Sequence, residues 1–338
     1  MKAAVIPEVN GIWELREVPT PRPGPGEVLI RVRACGVCHN DVLTTRGVFP
    51  FPSFEPAITG HEPAGEIVEV GLGVTSRRVG DRVGTTWVQG GCGRCAYCRC
   101  NFPVSGQLSL NCPEAVETGF SVPGGHAQYL VALAAATVLL PDGLGFEQAA
   151  TIMCAGYTAW CALRQANPQP GERVAVLGIG GVGHLALQYA SACGLETVAV
   201  TTSPDKHQLA RDLGADLVVG HGDELAEAGG ADIILATGTS YRAATRALAG
   251  LRPDGRMVLA GIDTEEPFTL APDSPLFGQR QRIIGSTHNG LHFLTEALEL
   301  VVSGAVRPVI ETFPMERVAE AVDRVAKGEA RFRAVVTY

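Results

Sequence analysis

A glycine-rich segment, GIGGVGH, lies directly between an apolar run and a helical pattern, and it constrains the fold more than any other feature. The preceding run RVAVL has the length and composition of a strand, and the following VGHLALQYASACG has helical periodicity. In a G-x-G-x-x-G loop the first glycine permits a tight turn, the second lets the backbone approach a pyrophosphate, and the third allows close packing of helix on strand. The loop residues expected to bind a dinucleotide are Gly178, Gly180, Gly181, Val182 and Gly183. The alternative is a glycine-rich turn without a ligand.

The segments that follow alternate between strands and helices. From Gly171 onward RVAVLG, TVAV, ADIILAT and GRMVLAG have the character of buried strands, and helical stretches such as PDKHQLARDLG separate them. This alternation predicts an α/β fold with a parallel sheet covered by helices. Residues 1–145, with short apolar runs between glycine and proline turns, are predicted to be mostly β. The 338 residues suit two domains, and the tail after Gly285 is expected to return to the first.

The strand after the glycine loop ends in TVAVTTSPDK, which bears on the choice of dinucleotide. About twenty residues beyond the loop, NAD-binding chains place an Asp or Glu that binds the ribose hydroxyls, and no acidic residue ends this strand. Thr201, Thr202 and Ser203 offer uncharged hydroxyls, and Lys206 is placed to reach a 2′-phosphate. The segment therefore predicts NADP in preference to NAD. The alternative is that Lys206 lies on a helix surface and Asp205 caps the first turn.

A dense cysteine segment, GGCGRCAYCRCNFPVSGQLSLNCPE, predicts a metal site. Cys92, Cys95 and Cys98 are spaced C-x2-C-x2-C, and four thiolates around one ion are typical of a closed structural zinc site. We take Cys112 as the fourth ligand rather than Cys100, because a residue two positions beyond Cys98 would strain to reach the same ion. A redox cluster and an empty site are the alternatives.

A second set of metal-ligating residue types is dispersed along the chain. CGVCHND, ITGHEPAGE and IMCAGYTAW contribute Cys38, His39, Asp41, His61, Glu62 and Cys154. Taken singly, Cys154 is equally a small buried apolar residue, His61 a hydrogen-bonded loop residue, and Cys35 with Cys38 a thioredoxin-like pair. Spacing alone leaves these alternatives open.

Charge and hydropathy exclude several functions. Twenty-seven basic and 35 acidic residues give a net charge of −8 without a Lys/Arg block, which argues against nucleic acid as a partner. No apolar run is long enough to span a bilayer, and the opening MKAAVIPEVNGIWELREVP lacks a signal-peptide core, so we expect no membrane association and a cytoplasmic location. Ten cysteines in such a chain indicate ligands rather than disulfides.

These motifs together resemble the zinc-containing medium-chain alcohol dehydrogenases over the whole chain. CGVCHND, GHEPAGEIVEVGLGV, VGDRV, the cysteine segment, IMCAGYT and GIGGVGH occur in the order of that family. The resemblance implies a GroES-like, mostly β catalytic domain over 1–148 and 286–338, and a Rossmann domain over 149–285, with the active site in the cleft. The TTSPDK segment is most similar to the cinnamyl-alcohol-dehydrogenase-like and bacterial aldehyde reductase branch.

The same resemblance assigns roles to the dispersed residues. Cys38, His61 and Cys154 would bind a catalytic zinc, with the fourth position left for water, substrate or, transiently, Glu62. Asp41 matches the acid that accepts a hydrogen bond from the free ring nitrogen of His61 and orients it.

The resemblance also implies contacts with the cofactor and the substrate. Arg333 resembles the arginine that binds the cofactor pyrophosphate, with an exposed charge beside Arg331 as the alternative, and Thr158 is expected beside the cofactor. Trp87 and Phe49 are expected to line the substrate pocket, and packing in the core is the alternative for Phe49 and Phe51.

Two departures from the family pattern concern the proton path and the structural zinc. Asn40 stands where the family carries Ser or Thr, and an amide cannot relay the substrate proton in the manner of a hydroxyl. Either water takes that role with His39 as the outer acid or base, or the substrate differs from simple alcohols. Cys112 lies farther from Cys98 than in the family, so Cys100 keeps a minority claim as the fourth ligand.

The resemblance implies a zinc-dependent alcohol dehydrogenase or aldehyde reductase. Such an enzyme would transfer hydride between NAD(P)(H) and a small aliphatic or aromatic alcohol or aldehyde bound at the catalytic zinc. Two zinc ions per chain and a homodimer or homotetramer are expected. The rivals are a zinc-free quinone or enone reductase of the same superfamily, and a zinc-ribbon binding protein with a Rossmann ligand sensor.

Overall fold

The computed structural model describes residues 1–99, 108–272 and 274–338. The strands are β1 (Lys2–Val5), β2 (Glu14–Glu17), β3 (Glu27–Gly36), β4 (Pro63–Val70), β5 (Arg82–Thr85), β6 (Val88–Gly90), β7 (Val116–Glu117), β8 (Tyr129–Leu133), β9 (Thr137–Leu139), β10 (Arg173–Leu177), β11 (Glu196–Val200), β12 (Leu217–Val219), β13 (Ala231–Ala236), β14 (Leu251–Leu259), β15 (Arg282–Gly285), β16 (Ile310–Pro314) and β17 (Arg333–Thr337). The α-helices are α1 (His39–Thr45), α2 (Ala96–Arg99), α3 (Phe146–Thr151), α4 (Tyr157–Ala166), α5 (Gly183–Ala192), α6 (His207–Asp212), α7 (Gly222–Glu227), α8 (Tyr241–Ala247), α9 (Leu291–Val302) and α10 (Val318–Ala326). A single π-helical turn spans Ile152–Gly156, and short 3-10 turns include Pro204–Lys206.

The chain divides into two units. The first comprises residues 1–154, 289–302 and 308–338, and the second comprises 155–288 and 303–307. The boundaries between the units, at 154/155 and 288/289, lie a few residues beyond the expected boundaries at 148/149 and 285/286. The short return of 303–307 to the second unit was not expected. Two hydrogen bonds hold this return: the side-chain Oε1 of Gln188 on α5 accepts from the Arg307 N–H at 2.7 Å, and its Nε2 donates to the Arg307 C=O at 3.1 Å.

The second unit is built on one parallel sheet. Its strand order is β12-β11-β10-β13-β14-β15, and every neighbouring pair is parallel. Strands β10, β11 and β13 are almost continuously apolar because both faces of such a sheet are covered. One core cluster buries Leu177, Val198 and Ile234 together with residues of α7 and α8. This is the doubly wound sheet that the alternating pattern predicted. β10 is central, with β11 and β12 following on one side and β13, β14 and β15 on the other.

The first unit is mostly β, as predicted. Its seven-stranded sheet has the order β16-β17-β3-β4-β5-β9, with β8 pairing β3 as well, and all of its pairs except β16–β17 are antiparallel. Two-stranded ladders join β1 to β2 and β6 to β7. Strand β3, which pairs with β4, β8 and β17, is followed directly by Cys38 and α1. The first candidate ligand therefore lies just beyond the end of this central strand.

Across the described ranges 1–99, 108–272 and 274–338, the helices are too short or too polar to cross a bilayer.

Candidate active site and metal centres

The first candidate ligand, Cys38, is the residue immediately before α1. Its backbone is extended, with φ −97° and ψ 155°, and its N–H donates to the Asp41 carboxylate at 2.9 Å. Asp41 lies one turn into the helix, so its side chain reaches back over the helix start, as acidic side chains there commonly do. His39 and Asn40 form the half-exposed first turn between them. The helix start therefore fixes the backbone that carries the thiol.

His61 and Glu62 follow Gly60 in the loop that enters β4. Gly60 has φ +97°, a conformation that glycine adopts without strain, and its N–H donates to Asp41 at 3.2 Å. Glu62 is fully buried, and its backbone carbonyl accepts a hydrogen bond from Gly36 at 3.2 Å. A Cβ on Gly36 would collide with the Glu62 carboxylate, so glycine is needed there to seat this buried acid.

Cys154 comes from a different part of the chain, the π-helical turn Ile152–Gly156. Such turns are rare and often occur at functional sites. The Cys154 sulfur lies 4.0 Å from that of Cys38. A disulfide needs about 2 Å between sulfurs, whereas two thiolates bound to one tetrahedral zinc at about 2.3 Å each would lie roughly 3.8 Å apart. The spacing fits a shared ion.

Cys38, His61, Glu62 and Cys154 place one ligand atom each within 4.8 Å of one another. Both ring nitrogens of His61 are buried and make no hydrogen bond to any residue that the structure describes. Buried polar groups are nearly always paired, so an imidazole without protein partners beside two thiols is the arrangement expected for a metal ligand. The residues present therefore fit a zinc ion.

The electrostatics of the cluster favour a thiolate at Cys38. A hydrogen bond from the Cys154 thiol and the charge of His61 hold the pKa of Cys38 well below its usual value, although burial opposes this. Burial alone would lower the pKa of His61, but the neighbouring Cys38 raises it to about 9. The pKa of Cys154 is raised by its hydrogen bond to Cys38 and by burial. One deprotonated sulfur is thus already favoured without an ion.

The hydrogen bond expected between Asp41 and His61 is absent, and that expectation was wrong. The Asp41 oxygens instead accept from the N–H groups of Cys38 and Gly60, while Asp41 Oδ2 lies 3.7 Å from His126 Nε2. Burial raises the pKa of Asp41, but His126 and the Cys38 N–H outweigh it and lower the value to about 2. Asp41 therefore positions the backbone around the ligands and makes no hydrogen bond to the His61 ring.

The structure excludes the alternative of an exposed charge for Arg333, because its side chain is buried and donates to both Glu62 oxygens at 2.6 Å. Its expected role at the cofactor pyrophosphate stays a prediction. Burial raises the pKa of Glu62 to about 7, against the opposing charge of Arg333. A buried guanidinium needs such a partner, and Glu62 is the acid that this part of the fold supplies. A metal-ligand role for Glu62 would require this pair to open.

The four-cysteine cluster is well formed. Cys92, Cys95, Cys98 and Cys112 bring their sulfurs within 4.8 Å of one another, and Cys100 lies outside the described residues. Backbone N–H groups donate to three of these sulfurs, at 3.3 to 3.4 Å. N–H bonds from Arg94 and Cys95 lower the pKa of Cys92 to about 7. A Cβ on Gly91 would lie 2.9 Å from the Cys98 sulfur, so this cradle leaves no space for a side chain.

In the second unit, the glycine loop has the geometry expected of a dinucleotide site. Gly178 has φ +89°, and a Cβ on Gly183 would collide with the Gly178 carbonyl oxygen. A Cβ on Gly180 would meet no described atom within 4 Å. The tight turn at Gly178, the open approach at Gly180 and the close packing at Gly183 thus follow the predicted order, and Gly181 and Val182 lie between the last two.

The remaining predicted cofactor residues lie near this loop or after α3. Thr201 directly follows β11 and is buried, and its hydroxyl accepts from the N–H of Ser203 at 3.3 Å. Thr202 is exposed, and Lys206 ends the 3-10 turn Pro204–Lys206. Thr158 pairs with His288 Nε2 at 3.1 Å, a partner that the sequence did not indicate.

Aromatic side chains flank the metal-ligand cluster. The Phe120 ring lies 5.5 Å from the His61 ring and 6.2 Å from the Trp87 ring. Phe120 was not predicted, because an isolated aromatic between glycine turns carries no sequence signal. Phe51 is half-buried and packs on the core cluster that contains Trp13, in line with the packing alternative, and Phe49 is half-buried after α1.

Hydride transfer at a metal centre requires a dinucleotide and an ion with an open coordination position. This chain has a loop suited to the first and a three-ligand cluster suited to the second. The class is therefore that of the zinc-dependent, nicotinamide-linked dehydrogenases.

Comparison with known proteins leads to the same class. A family model described as the alcohol dehydrogenase GroES-like domain matches residues 24–142, and one described as zinc-binding dehydrogenase matches 181–303. An alcohol dehydrogenase of Geobacillus stearothermophilus is 42% identical over 342 residues, covering 99% of each chain. The solved cinnamyl alcohol dehydrogenase of Sorghum bicolor is 28% identical, with a TM-score of 0.89 over 99% of this chain and 97% of that one. Acetophenone reductase of Geotrichum candidum, solved with NAD, is 29% identical, with a TM-score of 0.85 over 100% of this chain and 97% of that one.

The chain belongs to the zinc-containing medium-chain alcohol dehydrogenase family. The expected fold class and the zinc-dependent alcohol dehydrogenase or reductase activity are confirmed, and the zinc-ribbon alternative is wrong. Zinc and a nicotinamide dinucleotide are the cofactors of such an enzyme.

Proposed function

We propose that this chain is an NADP-preferring dehydrogenase and aldehyde reductase, acting on small apolar alcohols and aldehydes at a zinc held by Cys38, His61 and Cys154. The observation that carries the proposal is the cluster of these ligand atoms within 4.8 Å around an imidazole whose nitrogens have no described protein partner. The Cys92, Cys95, Cys98 and Cys112 cluster would hold a second, structural zinc with no open position.

When bound, a zinc ion with an open position polarises a substrate oxygen and stabilises the negative charge that develops there. The side chains of this protein would hold the ion and position its ligands. Two thiolates and one imidazole would hold the ion, and Asp41 fixes the backbone that carries Cys38 and His61. The hydride itself belongs to the dinucleotide.

The proton that accompanies hydride transfer needs a path that does not use a hydroxyl at position 40. Asn40 cannot pass a proton by exchange, because its amide is not a practical acid or base. His39 is adjacent and half-exposed, and an imidazole has one nitrogen that can accept a proton and one that can donate it. We propose that water links the substrate oxygen to His39, which exchanges its proton with solvent.

Substrate selection follows from the aromatic side chains. Phe120 lies beside His61, and Trp87 packs edge-on against Phe120, which gives an apolar boundary on one side of the ligand cluster. Burying unpaired hydroxyls against such a boundary is costly, so aliphatic and aromatic alcohols or aldehydes are favoured over sugars. Phe49 is proposed as a further lining residue.

The proposed cofactor preference depends on the end of β11. An Asp or Glu there would accept hydrogen bonds from the ribose hydroxyls of NAD and repel the 2′-phosphate of NADP. This chain has Thr201, Thr202 and Ser203 instead, followed by Lys206. Gly178, Gly180, Gly181, Val182 and Gly183 would hold the pyrophosphate, with Thr158 beside the cofactor. A homodimer or homotetramer is proposed from the family resemblance alone.

The cofactor proposal is tested by measuring kcat/KM for NADPH and NADH with benzaldehyde. We expect the wild type to prefer NADPH about tenfold or more, since hydrogen bonds to a charged group contribute about 1.5–3 kcal/mol. Thr201→Asp should reverse the preference, because the carboxylate can still accept from the Ser203 N–H while it repels the phosphate. Thr202→Asp, with the same charge on the exposed neighbour, is the control and should change the ratio less. Faster turnover of NADH by the wild type would overturn the preference and leave the dehydrogenase proposal standing.

A further inference from the structure

Asp41 joins the two loops that carry the proposed ligands Cys38 and His61. Its Oδ2 accepts from Cys38 N at 2.9 Å, and its Oδ1 accepts from Gly60 N, the residue before His61, at 3.2 Å. The carboxylate is completely buried. Any change in its position would therefore move the backbone on both sides of the proposed metal site.

His126 is the side chain that faces this carboxylate. Its ring is completely buried, and Nε2 lies 3.7 Å from Asp41 Oδ2 with no hydrogen-bond partner among the described residues. The ring also fills the space beside Gly60, because a Cβ on Gly60 would lie 2.7 Å from His126 Cδ2. Trp13 packs edge-on against the ring at 5.1 Å. His126 is thus confined between Asp41, Gly60 and Trp13.

Tyr338, directly after β17, sets the orientation of the His126 ring. Its hydroxyl lies 3.1 Å from His126 Nδ1. Its own ring packs against the clusters that contain Val32 and Val336, and its N–H donates to the Arg33 carbonyl at 3.2 Å. When the hydroxyl donates to Nδ1, a neutral imidazole must carry its proton on Nε2, the atom that faces Asp41. A donor is then directed at the buried acid.

In the part of the chain that the structure describes, the Asp41 carboxylate accepts from two backbone donors, which leaves lone pairs unsatisfied. A donor on a third side would oppose movement of this carboxylate. His126 is placed on that side, and the His61 ring makes no hydrogen bond to Asp41. The order of contacts is Tyr338, His126, Asp41, and then the two ligand loops. The dehydrogenase chemistry does not itself use the first two residues.

We propose that His126 and Tyr338 are positioning residues for the catalytic zinc, holding Asp41 so that Cys38 and His61 keep their ligand geometry. This inference rests on the proposed assignment of Cys38, His61 and Cys154 as the zinc ligands. Replacing a residue that orients a metal ligand commonly lowers metal affinity by about 10–100-fold.

The test compares His126→Ala, His126→Asn and Tyr338→Phe with the wild type. Zinc affinity is measured by chelator competition on the full chain. The visible spectrum of the cobalt-substituted protein is also recorded, and the spectrum of Cys154→Ser is subtracted to remove the four-cysteine site. We expect His126→Ala to weaken zinc binding at the three-ligand site about 10–100-fold and to shift the cobalt bands. Tyr338→Phe, which loses one hydrogen bond, should weaken it about fivefold.

Two comparisons separate positioning from general damage. His126→Asn retains an N–H donor and should recover part of the affinity, while Tyr129→Phe, a hydroxyl deletion on β8 of the same sheet, should bind zinc as the wild type does. If His126→Ala does not fold, Tyr338→Phe alone decides. Unchanged zinc affinity and an unchanged cobalt spectrum in Tyr338→Phe and the folded His126 variants would overturn the inference. If instead Cys154→Ser binds as much zinc as the wild type, the proposed site itself is wrong.

Discussion

At the scale of single residues, His61 carries the clearest physical signal for a ligand. Both of its ring nitrogens are buried without a described protein partner, and a buried unpaired polar group costs about 1–3 kcal/mol. Folding tolerates such a cost when a ligand removes it. The sulfurs of Cys38 and Cys154 lie at the distance that one ion would bridge, which supports the proposal of a metal at this site.

Phe120 gives a residue-scale prediction about specificity. Phe120→Ala removes the ring that lies between His61 and Trp87, so aromatic substrates should lose a stacking partner worth about 0.5–1.5 kcal/mol. We expect kcat/KM for benzaldehyde to fall about three- to tenfold, and that for acetaldehyde to change less. Steady-state kinetics on both substrates check this. Equal losses for the two aldehydes would contradict the proposed role.

At the scale of elements, the glycine loop that joins β10 to α5 contains one glycine expected to serve cofactor binding, Gly180, and one expected to serve folding, Gly183. Gly180→Ala adds a Cβ that meets no described atom within 4 Å, so stability should hold while the dissociation constant for NADPH rises tenfold or more, about 1.4 kcal/mol. Gly183→Ala adds a Cβ that collides with the Gly178 carbonyl and should cost about 3 kcal/mol of stability. Cofactor titration and thermal unfolding of both variants test the pair. Wild-type NADPH affinity in Gly180→Ala would show that the loop does not contact the cofactor.

A second element-scale prediction concerns the link between α4 and β14. Arg256 donates to the Ala166 and Asn167 carbonyls at the end of α4, at 2.6 and 2.9 Å, and pairs with Glu172 at 2.6 Å. These are the carbonyls that a helix end leaves unsatisfied. Glu172→Gln leaves a buried guanidinium without its counter-charge, so we expect a loss of about 2 kcal/mol in the free energy of unfolding.

The pH dependence of that loss follows from the pKa of Glu172. The hydrogen bond from Arg256 lowers this pKa below the ordinary 4.5, so the folded state favours the charged form. The stabilisation is complete above the ordinary pKa and is lost as the pH falls through the folded value. The difference between wild type and Glu172→Gln should therefore be constant from neutral pH to about 5 and shrink below it. Glu320→Gln, in an exposed pair with Arg317, is the control and should change stability far less, because solvent screens an exposed ion pair. A difference that grows on acidification would contradict the assignment.

The elements that the sequence predicted are those with a long periodic pattern. Strands β10, β11 and β13 and helices α5, α9 and α10 fall within the predicted stretches, because a buried strand or an amphipathic helix repeats its signal over many residues. Short elements such as β12, β15, α7 and α8 had no such run. The Arg333–Glu62 pair and the His126–Tyr338 contact join residues more than two hundred positions apart, and no local pattern encodes such contacts.

At the scale of the whole molecule, the chemistry depends on two compact units. The first contains both ligand clusters, and the second contains the dinucleotide loop. The four-cysteine cluster could be predicted from spacing, because its first three ligands lie within seven residues. The three-ligand cluster could not, because Cys38, His61 and Cys154 meet only through the fold, and family resemblance was needed to join them.

The most direct test measures zinc content together with the initial rate of NADPH and NADH oxidation with benzaldehyde. Wild type, Cys154→Ser and Cys193→Ser are prepared in the same way, and Cys193, an exposed cysteine outside both clusters, serves as the control. We predict about two zinc ions per chain and ready turnover for the wild type and Cys193→Ser, and close to one zinc and almost no turnover for Cys154→Ser. A Cys154→Ser variant that keeps its zinc and its rate would contradict the zinc-centred account.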